Sequence, residues 1–566
     1  MKIYIRESSI LRCLGKMMLI LNILCIILGV FYISVRNHSI GWNVFGSVLI
    51  ITLLGNFLLV YIDNIVLDKN NKSAKTIKVL GYVYLINNIF AMLGMMIGNF
   101  TLSNSYSNTV RENLYLYITI YSSYFSIFIL GIFISYLNNM NLISRDKLSK
   151  RGSKGKNIFT SILKSLCYIN LLLGIFFCWI ILTRHDLKNF EVYTVEFSVF
   201  FAFIFSSTLI ILLSLKAEDI KTKSYYLVLV VGMAIITICA LPLILTPYTI
   251  NRAEESFFQA FGSEWRNKIN DNANKYFLKS PFSIPAYFLG IESNNFLVKQ
   301  DVMFYEGTDR DGKKVKLHFD AYRPKRSDKM LPGEGSTVIR IHGGAWVAGD
   351  KGKLNVLQMN KYLAEQGYTV FDIQYGLSNN SSLTLELGEP EYVKGNFTID
   401  DMIEHIGIFT KYIEENAAEY KVNLSSVFIS GGSAGGHLAT ATGLAISSGK
   451  YSNIFSPKIK VKGIIPFYPA NGLSKLGELN GTMGFVNPIY LIEKDSPPCL
   501  VYQGTRDSLV PRELCDKLKN KYISKKNNSC AILKMPLGGH GSDYYFSGQY
   551  NQTFLYYMER FLYIYK

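Results

Sequence analysis

The chain is predicted to have two parts. An all-α transmembrane bundle of about seven spans occupies residues 1–247. An α/β domain with a mostly parallel central sheet flanked by helices occupies 291–566, after an amphipathic connector over 248–290. Three observations predict this. Seven long apolar runs follow one another in the first part. Strand-like and helix-like segments then alternate from residue 337 onward. Two glycine-rich runs, His342-Gly343-Gly344-Ala345-Trp346 and Gly431-Gly432-Ser433-Ala434-Gly435-Gly436, sit at the ends of predicted strands.

The apolar runs fall at about 17–35, 42–62, 79–98, 114–137, 165–183, 197–215 and 225–247. Each has roughly the 20 residues that a helix needs to cross the hydrocarbon core. The first follows Lys2, Arg6, Arg12 and Lys16 as a signal peptide would. Its length, the lack of a small-x-small cleavage site and the six later spans predict a retained helix. Polar side chains within the spans, such as Asn22, Asn56, Asn87, Asn88 and Asn170, are uncharged and suit helix–helix contacts.

Net charge divides unevenly. Residues 1–247 carry 22 Lys/Arg against 10 Asp/Glu, while the remainder carries 37 against 32. The excess of +17 is therefore mostly a property of the membrane part, which argues against a nucleic-acid partner. Basic residues concentrate in alternate loops: 18 lie in the N-terminal tail and the second, fourth and sixth loops, against only Arg36, Arg111, Arg184 and Lys188 in the others. By the positive-inside rule the N-terminus is cytoplasmic, and an odd number of spans places the C-terminal domain outside the cytoplasm. Of eight cysteines, only Cys499, Cys515 and Cys530 fall in the α/β domain. Their odd number and spacing match neither a disulfide framework nor a metal site.

The connector contains an amphipathic, helical stretch around 253–274 whose aromatics (Phe257, Phe258, Phe261, Trp265) are expected to dock on the domain. A hairpin follows. Val298, Val302 and Phe304 alternate, a Gly/Asp-rich turn runs from Gly307 to Gly312, and Val315, Leu317, Phe319 and Ala321 alternate again. Short, continuously apolar runs predict buried strands at 337–341, 369–373, 427–430, 462–467, 500–503 and 531–535. Helical patterns fall at 354–366, 399–420, 437–448, 512–523 and 553–563.

Ser433 lies between a predicted strand and a predicted helix, inside Gly-x-Ser-x-Gly. That placement suits a nucleophile elbow, which exposes a serine hydroxyl on a tight turn. The N–H groups of Gly343, Gly344 and Ala434 are the expected oxyanion donors. A serine needs a base, and the base an orienting acid. His38 and His185 belong to the membrane part, His318 to a hairpin strand, His405 to a helix and His342 to the glycine loop; His437 shares the serine's helix and reads as structural. His540, between glycines after the last strand, remains. Asp507 follows the preceding strand and is the better acid, with Asp543 its rival.

These motifs, together with Gln503-Gly504-Thr505-Arg506-Asp507 and Gly539-His540-Gly541, resemble the α/β-hydrolase superfamily, in its carboxylesterase/lipase branch (hormone-sensitive-lipase-like and feruloyl-esterase-like enzymes). The likeness covers about 295–566. It implies an α/β-hydrolase fold with Ser433 as nucleophile, His540 as general base and Asp507 as orienting acid. In one place the chain departs: Tyr375-Gly376-Leu377-Ser378-Asn379 stands where hormone-sensitive-lipase-like proteins carry Tyr-Arg-Leu-Ala-Pro. The membrane part matches no such family.

The expected function is a membrane-anchored serine hydrolase, a carboxylesterase or deacylase that acts through an acyl-enzyme on an extracytoplasmic ester borne by a small molecule, lipid or envelope polymer. No cofactor and no metal are called for. Three alternatives stay open: an acyltransferase to or from an envelope glycan, a peptidase, and a membrane sensor or transporter with an inactive hydrolase-fold module.

Overall fold

The computed structural model describes residues 2–35, 39–66, 72–106, 112–139, 158–183, 194–216, 222–325, 331–353, 355–379, 381–383, 385 and 387–566. Seven helices among them are long and apolar enough to cross a membrane. They are α1 (Lys2–Val35), α2 (Gly41–Val66), α3 (Lys72–Ser103), α4 (Leu114–Asn139), α5 (Ile158–Leu182), α6 (Ser198–Leu215) and α7 (Lys223–Ile244). Many of the loop cations behind the orientation argument (Arg36, Lys69, Arg111, Arg145 to Lys156, Arg184, Lys188 and Lys221) lie outside the described residues.

Asparagines join the spans, as such side chains do where no water competes. Asn22 of α1 and Asn56 of α2 exchange two hydrogen bonds, at 2.9 and 2.8 Å. Asn87 of α3 donates to Ser126 of α4 (3.0 Å), and Asn170 of α5 to Thr208 of α6 (2.7 Å). Ser207 of α6 donates to Asn88 of α3. An ionisable group escapes the apolar-run reading because it falls in the last turn of α2, beyond residue 62. It is Asp63, buried and accepting from Asn138 of α4 at 2.7 Å.

After α7 the chain turns directly into α8 (Thr246–Phe261). Phe257, Phe261 and Trp265 are buried against Tyr557 and Phe561, while Phe258 faces outward. The short α9 (Ile284–Leu289) packs on α2 and α3. Then come β1 (Phe296–Thr308), β2 (Lys314–Pro324), β3 (Ser336–Ile341), α10 (Leu357–Glu365), β4 (Thr369–Ile373) and α11 (Ile399–Glu415). The remainder is β5 (Asn423–Gly432), α12 (Ala434–Ser448), β6 (Val461–Phe467), β7 (Cys499–Gly504), α13 (Glu513–Ser524), β8 (Cys530–Met535) and α14 (Gln549–Tyr565).

The eight strands form one sheet in the order β1-β2-β4-β3-β5-β6-β7-β8. The β1–β2 and β2–β4 pairs are antiparallel and the others parallel. β3 to β7 are nearly all buried because helices cover both faces. Several helical expectations shift, and the helix expected from 437 begins at Ala434. The stretch 399–420 breaks at Asn416, whose side chain folds back onto the Tyr412 carbonyl at 2.8 Å. Residues 354–356 precede α10 rather than belonging to it, and Leu354 itself is outside the described residues.

Bundle and domain pack directly on each other. Asn99 of α3 donates to the Phe288 carbonyl (2.9 Å), Tyr287 to the Glu196 carbonyl (2.9 Å), and Tyr106 to the Lys351 carbonyl (2.7 Å). Phe200 of α6 packs edge-on against Phe288 and Tyr545.

Candidate active site

Parallel strands end on the same side of a sheet, so the loops after β3, β5, β6, β7 and β8 converge there. In-register pairing of Ile341 with Gly431 sets the His342-Gly343-Gly344 loop beside the turn that holds Ser433. Ser433 caps α12 with φ +56° and ψ −119°, a strained combination for a residue with a side chain. It is held by three bonds: its N–H donates to the Phe467 carbonyl (2.9 Å), and its carbonyl accepts from the Ala470 N–H (3.2 Å) and the His437 N–H (3.0 Å).

Strand and helix pass so closely here that a Cβ at 435 would lie 2.1 Å from the Ile341 carbonyl oxygen, so glycine is required. A Cβ at 343 would stand 3.4 Å from the Ser433 Cβ, which measures how near the glycine loop comes to the hydroxyl. Among the described residues, neither the Gly343 nor the Gly344 N–H donates a hydrogen bond. Ala434 is the first residue of α12, and its N–H has no carbonyl one turn earlier in the helix.

On the other side, β7 pairs with β8, and the two loops beyond them are tied by bonds from Thr505 N–H to Met535 O (3.0 Å) and Arg506 N–H to Gly538 O (2.9 Å). This brings the imidazole Nδ1 of His540 to 3.0 and 3.2 Å from the two Asp507 oxygens. Asp507 is buried. Its Oδ1 accepts the N–H groups of Leu509 (3.0 Å) and Val510 (2.7 Å), and its Oδ2 accepts Nε2 of Gln503 (3.3 Å). With Nδ1 turned toward the carboxylate, Nε2 is left on the opposite edge of the ring.

Tyr468 was not foreseen. It sits at φ +34° just past β6, between the serine turn and the histidine loop. Its ring lies 4.4 Å from that of His540, and its hydroxyl donates to Asp543 at 2.8 Å. The rival acid is thus engaged with Tyr468, while Asp507 meets the imidazole. Burial raises the Asp543 carboxyl to about 6, against the opposing pull of Tyr468 and His540. The tripeptide Phe467-Tyr468-Pro469 ending a strand was the available signal. It is weak because an aromatic there is ordinarily core.

Three other histidines have structural partners. His437 accepts the indole N–H of Trp346 at Nδ1 (3.1 Å) and faces the Phe485 carbonyl through Nε2 (2.7 Å). Burial brings it down to about 4. His342 stacks on Tyr375 with ring centres 4.5 Å apart. His405 accepts the Gly376 N–H (3.2 Å). Cys499 and Cys530 face each other in register across β7 and β8 as free thiols. Among the described residues no group of three or more His, Cys, Asp or Glu could hold a metal ion.

The BD-FAE family model matches residues 319–522. A curated relative, the "Probable carboxylic ester hydrolase LipM" of Mycobacterium tuberculosis, is 26% identical over 253 residues, which is 40% of this chain and 53% of the relative. The chain thus spans about half the length of that relative. Among solved structures, Thermogutta terrifontis esterase 2 is 22% identical with a TM-score of 0.33, over 44% of this chain and 85% of that one. Esterase B from Lactobacillus rhamnosis is 19% identical with a TM-score of 0.35, over 44% and 81%. A truncated carbohydrate esterase from gut microbiota is 18% identical with a TM-score of 0.34, over 48% and 98%. Behind its seven membrane-length helices, the chain therefore carries a mostly parallel sheet flanked by helices, of which residues 319–522 are matched by the BD-FAE family model.

Proposed function

We propose that the chain is a membrane-anchored serine hydrolase that cleaves carboxylic esters through an acyl-enzyme. The observation that carries this reading is the meeting of His540 and Asp507 at 3.0 Å, with the His540 ring 4.4 Å from Tyr468 and the strained turn of Ser433 bonded to the adjacent Phe467. The name of the LipM relative as a carboxylic ester hydrolase supports the ester as the bond attacked. We read residues 1–247 as the membrane unit, 248–290 as the connector and 291–566 as the catalytic unit.

In this mechanism Ser433 Oγ attacks the ester carbonyl as Nε2 of His540 takes its proton. Asp507 stabilises the imidazolium and keeps Nδ1 protonated. The N–H groups of Gly343, Gly344 and Ala434 receive the oxyanion. Collapse breaks the bond to the alcohol, which leaves with the proton from Nε2. Water then attacks the acyl group by the same route in reverse and frees the acid and Ser433. The cysteines and remaining histidines take no part.

The positive-inside bias supports a cytoplasmic N-terminus and a catalytic domain outside the plasma membrane, where esters on lipids or envelope polymers are within reach. The test uses the full chain in detergent, a fluorophosphonate probe and p-nitrophenyl butyrate. Wild type is labelled and hydrolyses the ester. Ser433→Ala is unlabelled and loses turnover by at least about 10³-fold. Undiminished hydrolysis by the variant rejects the role of Ser433.

A further inference from the structure

One cavity lies away from Ser433. About 420 Å³ in volume, it lies where the bundle meets the α/β domain. One wall is apolar and aromatic: Tyr32 near the end of α1 and Trp42 at the start of α2, packed edge to face at 4.9 Å. Another part of the wall is charged, with Lys275 and Lys279 of the connector, Glu292 and Glu365. Leu331 and Gln366, which also line it, precede β3 and β4. The cavity is therefore at the N-terminal ends of the strands, while Ser433 is at their C-terminal ends. At about 3.3 Å per residue, a strand of β3's length puts roughly 20 Å between them.

Two features of this wall bear on its occupant. Among the described residues Lys275, Lys279 and Glu365 form no ion pair. Their hydrogen-bond partners among the described residues are neutral. Lys275 meets the Asn272 side chain (3.2 Å), Lys279 the Asn274 carbonyl, and Glu365 the amide of Asn295 (2.7 Å). Glu292 is turned by the Tyr121 hydroxyl (2.6 Å). Partial burial and the neighbouring Arg560 hold the Lys279 ammonium below its usual range, an environment that an anion would relieve. Cations, carboxylates and aromatic rings at the helix ends thus line one cavity. Tyr and Trp at such depth mark the membrane surface, and the volume falls in the range of small-ligand sites.

We propose that this cavity binds the headgroup of a zwitterionic, amine-bearing phospholipid. The phosphodiester sits against Lys275 and Lys279, the ammonium sits against Glu292 and Glu365, and the acyl chains leave past Tyr32 and Trp42 into the bilayer. The lipid then acts as a wedge that fixes the catalytic domain on its bundle. This site is independent of the role of Ser433.

The test is native mass spectrometry of the full chain in detergent, delipidated and titrated separately with phosphatidylethanolamine, phosphatidylglycerol and soluble glycerophosphoethanolamine. One phosphatidylethanolamine per chain is expected, held at least about tenfold more tightly than phosphatidylglycerol. Lys279→Ala and Glu365→Gln should each weaken it about tenfold or more, and Lys279→Arg should retain it. All three variants should label with fluorophosphonate as wild type does, which separates this test from that of the catalytic reading. Equal retention of the two lipids, or unchanged binding in both Lys279→Ala and Glu365→Gln, overturns the proposal. Glycerophosphoethanolamine binding as tightly as the lipid overturns the lipid assignment in favour of a soluble zwitterion.

Discussion

Replacing Asp507 with asparagine tests the site at its most informative atom. Oδ1 of Asp507 accepts two backbone N–H groups, from Leu509 at 3.0 Å and Val510 at 2.7 Å. An amide at 507 keeps both bonds only if its oxygen takes the Oδ1 position. Its NH2 then faces Nδ1 of His540, 3.0 Å from the present Oδ2. A donor there forces Nδ1 to accept, so the ring proton moves to Nε2, and Nε2 can no longer take the proton of Ser433. The fold is kept, but the tautomer is wrong. Loss of the correct tautomer costs about 10⁴-fold in turnover, or about 5.5 kcal/mol of barrier. The NH2 also meets Nε2 of Gln503, a second donor at 3.3 Å, so a modest fall in the unfolding midpoint accompanies it. The assay is kcat for p-nitrophenyl butyrate in detergent, with Asp543→Asn alongside. If Asp507→Asn keeps more than about a tenth of wild-type kcat while Asp543→Asn loses it, the acid has been assigned to the wrong carboxylate.

Other outcomes follow from packing and burial. Asp543 titrates near 6 in the fold against 3.8 for the unperturbed group, so its stabilising share is complete below about 4 and is lost as pH rises through 6. Asp543→Asn, neutral throughout, should therefore gain on wild type by up to about 3 kcal/mol between pH 4 and 7; a difference in thermal midpoint that does not change with pH refutes the assignment. Gly435→Ala would place a methyl 2.1 Å from a backbone oxygen and should cost more than about 4 kcal/mol, seen as failure to recover folded protein. Asn56→Ala removes a reciprocal bond with Asn22 inside the bundle and should cost about 1 kcal/mol, read as a small drop in thermal midpoint with fluorophosphonate labelling unchanged.

Much of the architecture was legible because its signals are local. Six buried strands were predicted within a few residues of their observed ends, since continuous apolar runs bounded by Gly, Pro or Asn admit little else. The start of α12 was placed at 437 but lies at Ala434, because the elbow's glycines disguise a helix N-terminus as loop. Asn416 ended α11 early through a side-chain bond that composition does not reveal. Asp63 escapes the reading because it lies just beyond the expected run of 42–62, and its partner Asn138 is on another helix. Tyr468 stayed hidden for the same reason: its meaning lies in His540 and Asp543, more than seventy residues away.

What the amino-acid order determined by itself was periodicity, span length and loop charge, and it nominated three candidate side chains, all from properties read over a few turns of chain. The contact of Asp507 with His540, that of Asp543 with Tyr468, and the cavity between membrane helices and domain belong to tertiary structure alone. All three depend on which distant segments touch, and that follows from sheet register and packing summed over the whole molecule rather than from any local preference.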